Sequence, residues 1–140
     1  MLLNEEESAP INRTNLVQAL IRNDNMMAPD DKLLQLHMAH KWESYLNDKQ
    51  RSRAFYSRVK GAVIRNKEDF PPNFDPERVF WIMAFIYFEE LVEANMASGD
   101  IDSPMEVGVL RLVFVDWAYE MRNRLTMKFF RKLENGQGAQ

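Results

Sequence analysis

Three glutamates, Glu89, Glu90 and Glu93, and two histidines, His37 and His40, are the residues whose types and spacing come nearest to supporting chemistry. Clustered carboxylates on a bundle helix can begin a di-iron site, but such sites also use a Glu-x-x-His element, and that element occurs nowhere in the 140 residues. His37 and His40 share a helix face at i and i+3, yet two histidines alone leave a metal site incomplete. A solvated helix end is the expected role of the glutamates. The chain has no glycine-rich loop to cradle a phosphate, no nucleophile elbow and no plausible catalytic triad. The absence of cysteine excludes disulfides, thiolate metal sites and cysteine nucleophiles together. No cofactor, no metal and no catalysis are expected. What remains is recognition by charge, which two basic clusters could support. The first cluster is Lys49, Arg51, Arg53, Arg58, Lys60 and Arg65; the second is Arg122, Arg124, Lys128, Arg131 and Lys132.

The elements that carry these residues read as helices. With 5 Gly and 6 Pro in 140 residues, the chain lacks the regular turn signals of an all-β protein, and its length suits one domain with a real core. Residues 1 to 11 are acidic and polar and are expected to be flexible, leaving 12 to 140 as a single helical domain. A first helix is predicted from about Asn12 or Thr14 to Arg22, with Leu16, Val17, Leu20 and Ile21 at helical spacing. A second starts near Asp30 or Asp31, both good capping residues, and carries Leu34, Met38, Trp42, Tyr45 and Leu46 along one stripe. A third runs from about Arg51 to Arg65 with Phe55, Val59 and Val63 at i, i+4 and i+8, and the adjacent prolines of NKEDFPPNF stop it.

The stretch DPERVFWIMAFIYFEELVEANM, Asp75 to Met96, opens with a cap and a proline at the first helical position. Apolar residues from Val79 to Phe88 surround it on all sides, which predicts a central helix covered by the others. Glu89, Glu90 and Glu93 interrupt the run too early for a bilayer span. After the turn ASGDIDSP, Ser103 and Pro104 open a last long helix, and the short connection predicts an antiparallel hairpin against which the N-terminal helices lie. Trp81 and Trp117 are expected as core aromatics. The start, MLLNEEESAP, is neither a signal nor a transit peptide, so a cytoplasmic location is expected.

An apolar helical hairpin ringed by amphipathic helices resembles the B-cell lymphoma 2 (Bcl-2) family of apoptosis regulators, and particular residues carry the resemblance. Family members have Asn-Trp-Gly-Arg at the start of the central helix and a phenylalanine seven residues after the arginine; here the stretch is Asp75-Pro76-Glu77-Arg78, with Phe85 at that spacing. Near the C-terminus, Phe129-Phe130-Arg131-Lys132-Leu133-Glu134-Asn135-Gly136-Gln137-Gly138 is similar to the family's aromatic, polar, Asn-Gly-Gly pattern, and Asn12-Arg13-Thr14-Asn15-Leu16-Val17 to its first helix. Glu77 stands in place of the usual glycine and Asp75 in place of asparagine. The second helix offers Leu36, Ala39, His40 and then Lys41 where a homology-3 segment has aspartate. No apolar tail follows Gly138, so no transmembrane anchor is expected, and short tail-less members resemble viral homologues.

The resemblance implies an all-α Bcl-2-like bundle that inhibits apoptosis by sequestering the homology-3 (BH3) helices of pro-death proteins in a hydrophobic groove. Trp42, Tyr45, Leu46, Tyr56, Val59, Val63, Val79 and Ile82 would line it, and Arg78 would pair with the partner's aspartate through two parallel hydrogen bonds. Val59, Val63 and Ile82 fit core packing as well, and Arg78 could instead form a surface salt bridge to Glu77 or Asp75. A homodimer is compatible with the apolar surface. Two other functions stay open: a helical nucleic-acid-binding regulator, suggested by the basic clusters but opposed by the net charge of -3, and a generic helical adaptor or secretion chaperone.

Overall fold

The computed structural model describes residues 14–70, 72 and 74–125, and within them every helix predicted from the sequence is present. They are α1 (Thr14–Arg22), α2 (Pro29–Leu46), α3 (Lys49–Asp69), α4 (Pro76–Ala97) and α5 (Pro104–Leu125). No strand occurs among the described residues, so the chain is all-α. The stretch 1–11, the first two residues expected in the first helix and the 129–138 motif lie outside the described residues. Among those described, no helix is long and apolar enough to cross a membrane.

The helix starts follow local chemistry. Asp75 Oδ1 accepts from the backbone N–H of Glu77 at 3.1 Å and of Arg78 at 3.4 Å, satisfying two donors that the first turn of α4 leaves open. Ser103 Oγ accepts from Glu106 N at the start of α5 (3.2 Å), and Asp48 Oδ2 accepts from Arg51 N at the start of α3 (3.1 Å). The start of α2 differs from expectation. Ala28 holds the cap position without a side-chain bond and Pro29 is the first helical residue, so Asp30 and Asp31 sit inside the first turn, where their charge complements the helix dipole. Between α4 and α5, Gly99 takes φ 84°, a conformation that glycine enters without steric cost. Its N–H donates to Met96 O (3.2 Å) and that of Ile101 to Asn95 O (3.0 Å).

The packing corrects one expectation. The helix at the centre of the bundle is α5, which touches α1, α2 and α4. It buries Glu106, Leu110, Val113, Trp117, Met121 and Leu125 at spacings of three or four. The apolar α4 lies to the side. Its buried residues, Pro76, Phe80, Ala84, Leu91 and Asn95, form one stripe facing α3 and α5, while Ile82, Phe85 and Ile86 remain 50%, 67% and 43% exposed. The hairpin itself is as expected: Trp81 meets Tyr119 with ring centroids 4.9 Å apart and Phe88 meets Phe114 at 5.2 Å, the pairing of antiparallel helices. Phe55 of α3 reaches Phe80 (5.8 Å), Tyr87 (5.0 Å) and Trp117 (5.2 Å), so three helices meet in one aromatic cluster.

A polar staple holds α2 to the hairpin. The buried Glu106 carboxylate accepts from Trp42 Nε1 and from Lys41 Nζ, both at 2.9 Å, and Lys41 also donates to Asp100 O at 3.0 Å. Glu106→Ala leaves a buried indole N–H without its acceptor and removes the ion pair, so it should cost about 2–4 kcal/mol. Urea unfolding measures this, and a loss below about 1 kcal/mol would show that the staple is not needed. Glu43 makes the opposite contribution. Its Oε2 is buried without a hydrogen-bond partner among the described residues, and burial raises its pKa above 4.5 despite the opposing pull of His40. The folded state therefore holds this proton more tightly than the unfolded chain, and stability from this group drains away as pH rises from about 4.5 through the raised value. Glu43→Gln should be more stable than the parent protein at pH 7, with the gap closing toward pH 4; thermal melts giving a pH-independent gap would refute this.

Candidate functional site

The residues expected to line a groove fall into three groups. Trp42, Leu46, Tyr56, Val59 and Val63 belong to the core, all essentially without solvent contact. The stripe of α2 that carries Trp42 and Leu46 faces α5, and Trp42 spends its only donor on Glu106. Tyr56, Val59 and Val63 lie on the buried side of α3. A partner helix could touch these five only by displacing α4 or α5, so their assignment to a groove wall is corrected to core packing. Tyr45 is half-buried at a separate place: the Arg51 guanidinium lies 3.6 Å from its ring centroid, and its hydroxyl accepts from Asn95 Nδ2 at 3.4 Å.

Arg78, Val79 and Ile82 do come together. They line a cleft of about 260 Å³ between the end of α3 and the start of α4, together with Asn66, Phe70, Phe74 and Asp75. The start of α4 is fixed by the Asp75 cap, which orients Arg78 outward in the first turn. Its guanidinium makes no hydrogen bond or ion pair with another described residue. The two acids that could have neutralised it are engaged elsewhere. Asp75 caps the helix, and Glu77 binds Arg122, with Oε1 accepting from Nε at 2.7 Å. Phe70 and Phe74 were missed in the sequence because they fall in the break between helices. Their signal is two phenylalanines flanking adjacent prolines, in a segment whose backbone cannot turn inward as a helix.

A second and larger groove, about 570 Å³, runs along the other flank of α4 against α5. Trp81, Phe85, Phe88, Phe114, Val115 and Tyr119 line it, Ala84 and Ala118 make it hollow, and Arg111 stands at one end. None of these was expected at a site, and Trp81, expected in the core, is half-buried on its wall. Its signal was present in the composition of α4: an apolar helix packed mainly against α3 and α5 leaves part of its surface open.

The first basic cluster is largely engaged inside the molecule. Arg58 makes a two-pronged ion pair with Glu90 (2.8 and 3.2 Å), Arg51 stacks on Tyr45, and Lys60 lies 5.4 Å from the Tyr56 ring centroid. Burial, reinforced by Tyr45 and Glu90, pushes the Tyr87 phenol up to about 12, so it stays protonated at the core edge. His37 and His40 are both exposed, with Gln18 Nε2 3.4 Å from His40 Nδ1. Among the described residues, no group of three or more histidine or acidic side chains is placed to hold a metal ion. No family model, no curated protein and no solved structure matches this chain.

Proposed function

We propose that this chain is a Bcl-2-like inhibitor of apoptosis that captures the homology-3 helix of pro-death proteins at the cleft headed by Arg78. One observation carries the proposal: among the described residues Arg78 has no side-chain partner, and it stands beside exposed apolar residues although Asp75 and Glu77 are close in sequence. A guanidinium in that position can meet a partner's carboxylate through two parallel hydrogen bonds. Val79, Ile82 and Ile86 continue from it at i, i+3 and i+7, and Phe70 and Phe74 line the same cleft.

The geometry sets how such a helix would lie. Anchors at i, i+4, i+7 and i+11 extend over roughly 17 Å, whereas the cleft accepts one or two large side chains. The remaining anchors would lie along the exposed stripe of α4 beyond Ile82. Binding is by shape and charge, and the effect is sequestration with no covalent step.

Calorimetric titration with a panel of homology-3 peptides tests the proposal. At least one should bind, and no affinity tighter than about 10 μM, roughly -7 kcal/mol, across the panel would sink it. Arg78→Ala should weaken the best peptide by about 1–3 kcal/mol, while Arg111→Ala, in the other groove, should leave peptide binding unchanged.

A further inference from the structure

We infer that the apolar face shared by α4 and α5 is a self-association surface whose occupant is a second copy of this chain. The proposal is independent of the peptide cleft. Trp81, Phe85 and Phe88 form a stripe at i, i+4 and i+7 that adjoins the Val79, Ile82, Ile86 stripe without sharing a residue with it.

Size is the first support. Two helices of 22 residues each, roughly 33 Å long and 10 Å wide, present a face on the order of 700 Å². A standard stable interface takes roughly 800 Å² from each partner. Contiguous apolar patches beyond a few hundred Å² are uncommon on monomers and mark contact surfaces. Here Phe85, Leu112, Val115 and Tyr119 are all exposed, the least of them 43%.

Shape is the second. The face carries both a knob and a hole: Phe85 is two-thirds exposed at the rim of the 570 Å³ hollow formed over Ala84 and Ala118. A surface that holds both complements itself under a two-fold axis, where residue i of one copy meets j of the other and j meets i. Each Phe85 then enters its partner's hollow.

Charge is the third. Arg111 stands at one end of the hollow and has no ion pair or hydrogen bond among the described residues, while the Trp81 and Tyr119 ring pair forms the other end. A two-fold axis lying in the plane of the face and perpendicular to the two helices reverses its ends. It therefore carries the Arg111 of each copy onto the aromatic pair of the other, giving two symmetry-related cation–π contacts that the monomer cannot make.

Sedimentation equilibrium of the full chain between 1 and about 100 μM, a range over which ordinary interfaces are populated, tests the inference. The expected result is a mass twice 16.5 kDa. Phe85→Glu should give a monomer with unchanged helical circular dichroism, since Phe85 contributes an exposed ring and little core. Arg111→Ala should weaken the dimer by roughly 5- to 30-fold. Trp42 and Trp117 are already buried in the single chain, so a red shift of tryptophan emission on dilution should come from Trp81 and vanish in Trp81→Phe. A monomer at 100 μM overturns the inference, including the case in which residues 126–140 of the same chain cover the face. A dimer insensitive to both Phe85→Glu and Arg111→Ala overturns it too, because association would then use another surface.

Discussion

The Glu106 carboxylate is the contact on which the arrangement of the bundle depends. It sits in the first turn of α5, where the helix dipole favours an acid, and it ties that turn to two adjacent residues of α2, Lys41 and Trp42. Lys41 reaches on to the carbonyl of Asp100, so one ammonium group also holds the α4–α5 connection. The Ser103-to-Glu106 spacing is that of a capping box, in which the glutamate side chain ordinarily turns back to the cap residue's own N–H. Here only half of the box forms. Ser103 receives the Glu106 N–H, while the Glu106 side chain bonds across to α2. A local capping residue has become a tertiary link, and the register of α2 on α5 follows from it.

With that register set, α5 becomes the central helix. Its side chains at Leu110, Val113, Trp117 and Met121 are covered by α1, α2 and α4, and Trp117 joins the aromatic cluster that Phe55 brings from α3. The Trp117 Nε1 donor is buried without a partner among the described residues, a cost on the order of 1–3 kcal/mol that the stacked rings around it must offset. The helix α4 is left with α3 on one flank and α5 on the other. From Val79 to Phe88 its remaining surface is apolar because that run is apolar all round, and among the described residues no further helix closes it.

Helix ends were legible in the sequence because their causes are local. Asp75 with Pro76 and Ser103 with Pro104 act on their own backbone, and the structure uses them as expected. The identity of the central helix was not legible. A run that is apolar on every face has no preferred direction, so α4 looked more deeply buried than α5, whose solvated positions Arg111 and Asn123 disguise a continuous buried stripe. The same ambiguity governed the site. Trp42, Val59 and Val63 have the spacing of a groove wall and of a core face alike, and what decides between them is which helix lies opposite, a fact of tertiary packing. Arg78 was legible because its position depends on the cap alone. That both neighbouring acids would be taken, Asp75 by the backbone and Glu77 by Arg122, could not be read from their adjacency.

Among the described residues, most cations of the first basic cluster are engaged within the chain, while Lys128, Arg131 and Lys132 of the second lie outside the described residues. A nucleic acid rewards a continuous row of positive charge, commonly about 6–10 phosphate contacts. In the first basic cluster, Arg51, Arg58 and Lys60 are held on Tyr45, Glu90 and Tyr56, and Arg53 is half-buried. The two that remain, Lys49 and Arg65, are 16 residues apart on α3, roughly 24 Å, which spans several phosphates with nothing between them. Arg78 and Arg111 are different, since each is a single cation beside apolar surface with no side-chain partner among the described residues. An isolated guanidinium at the edge of a hydrophobic patch gains little from a chain of phosphates, which offers the patch nothing to bury. It gains most from a surface presenting one carboxylate or one aromatic face together with apolar side chains, as the proposed helical partner and the proposed second copy would.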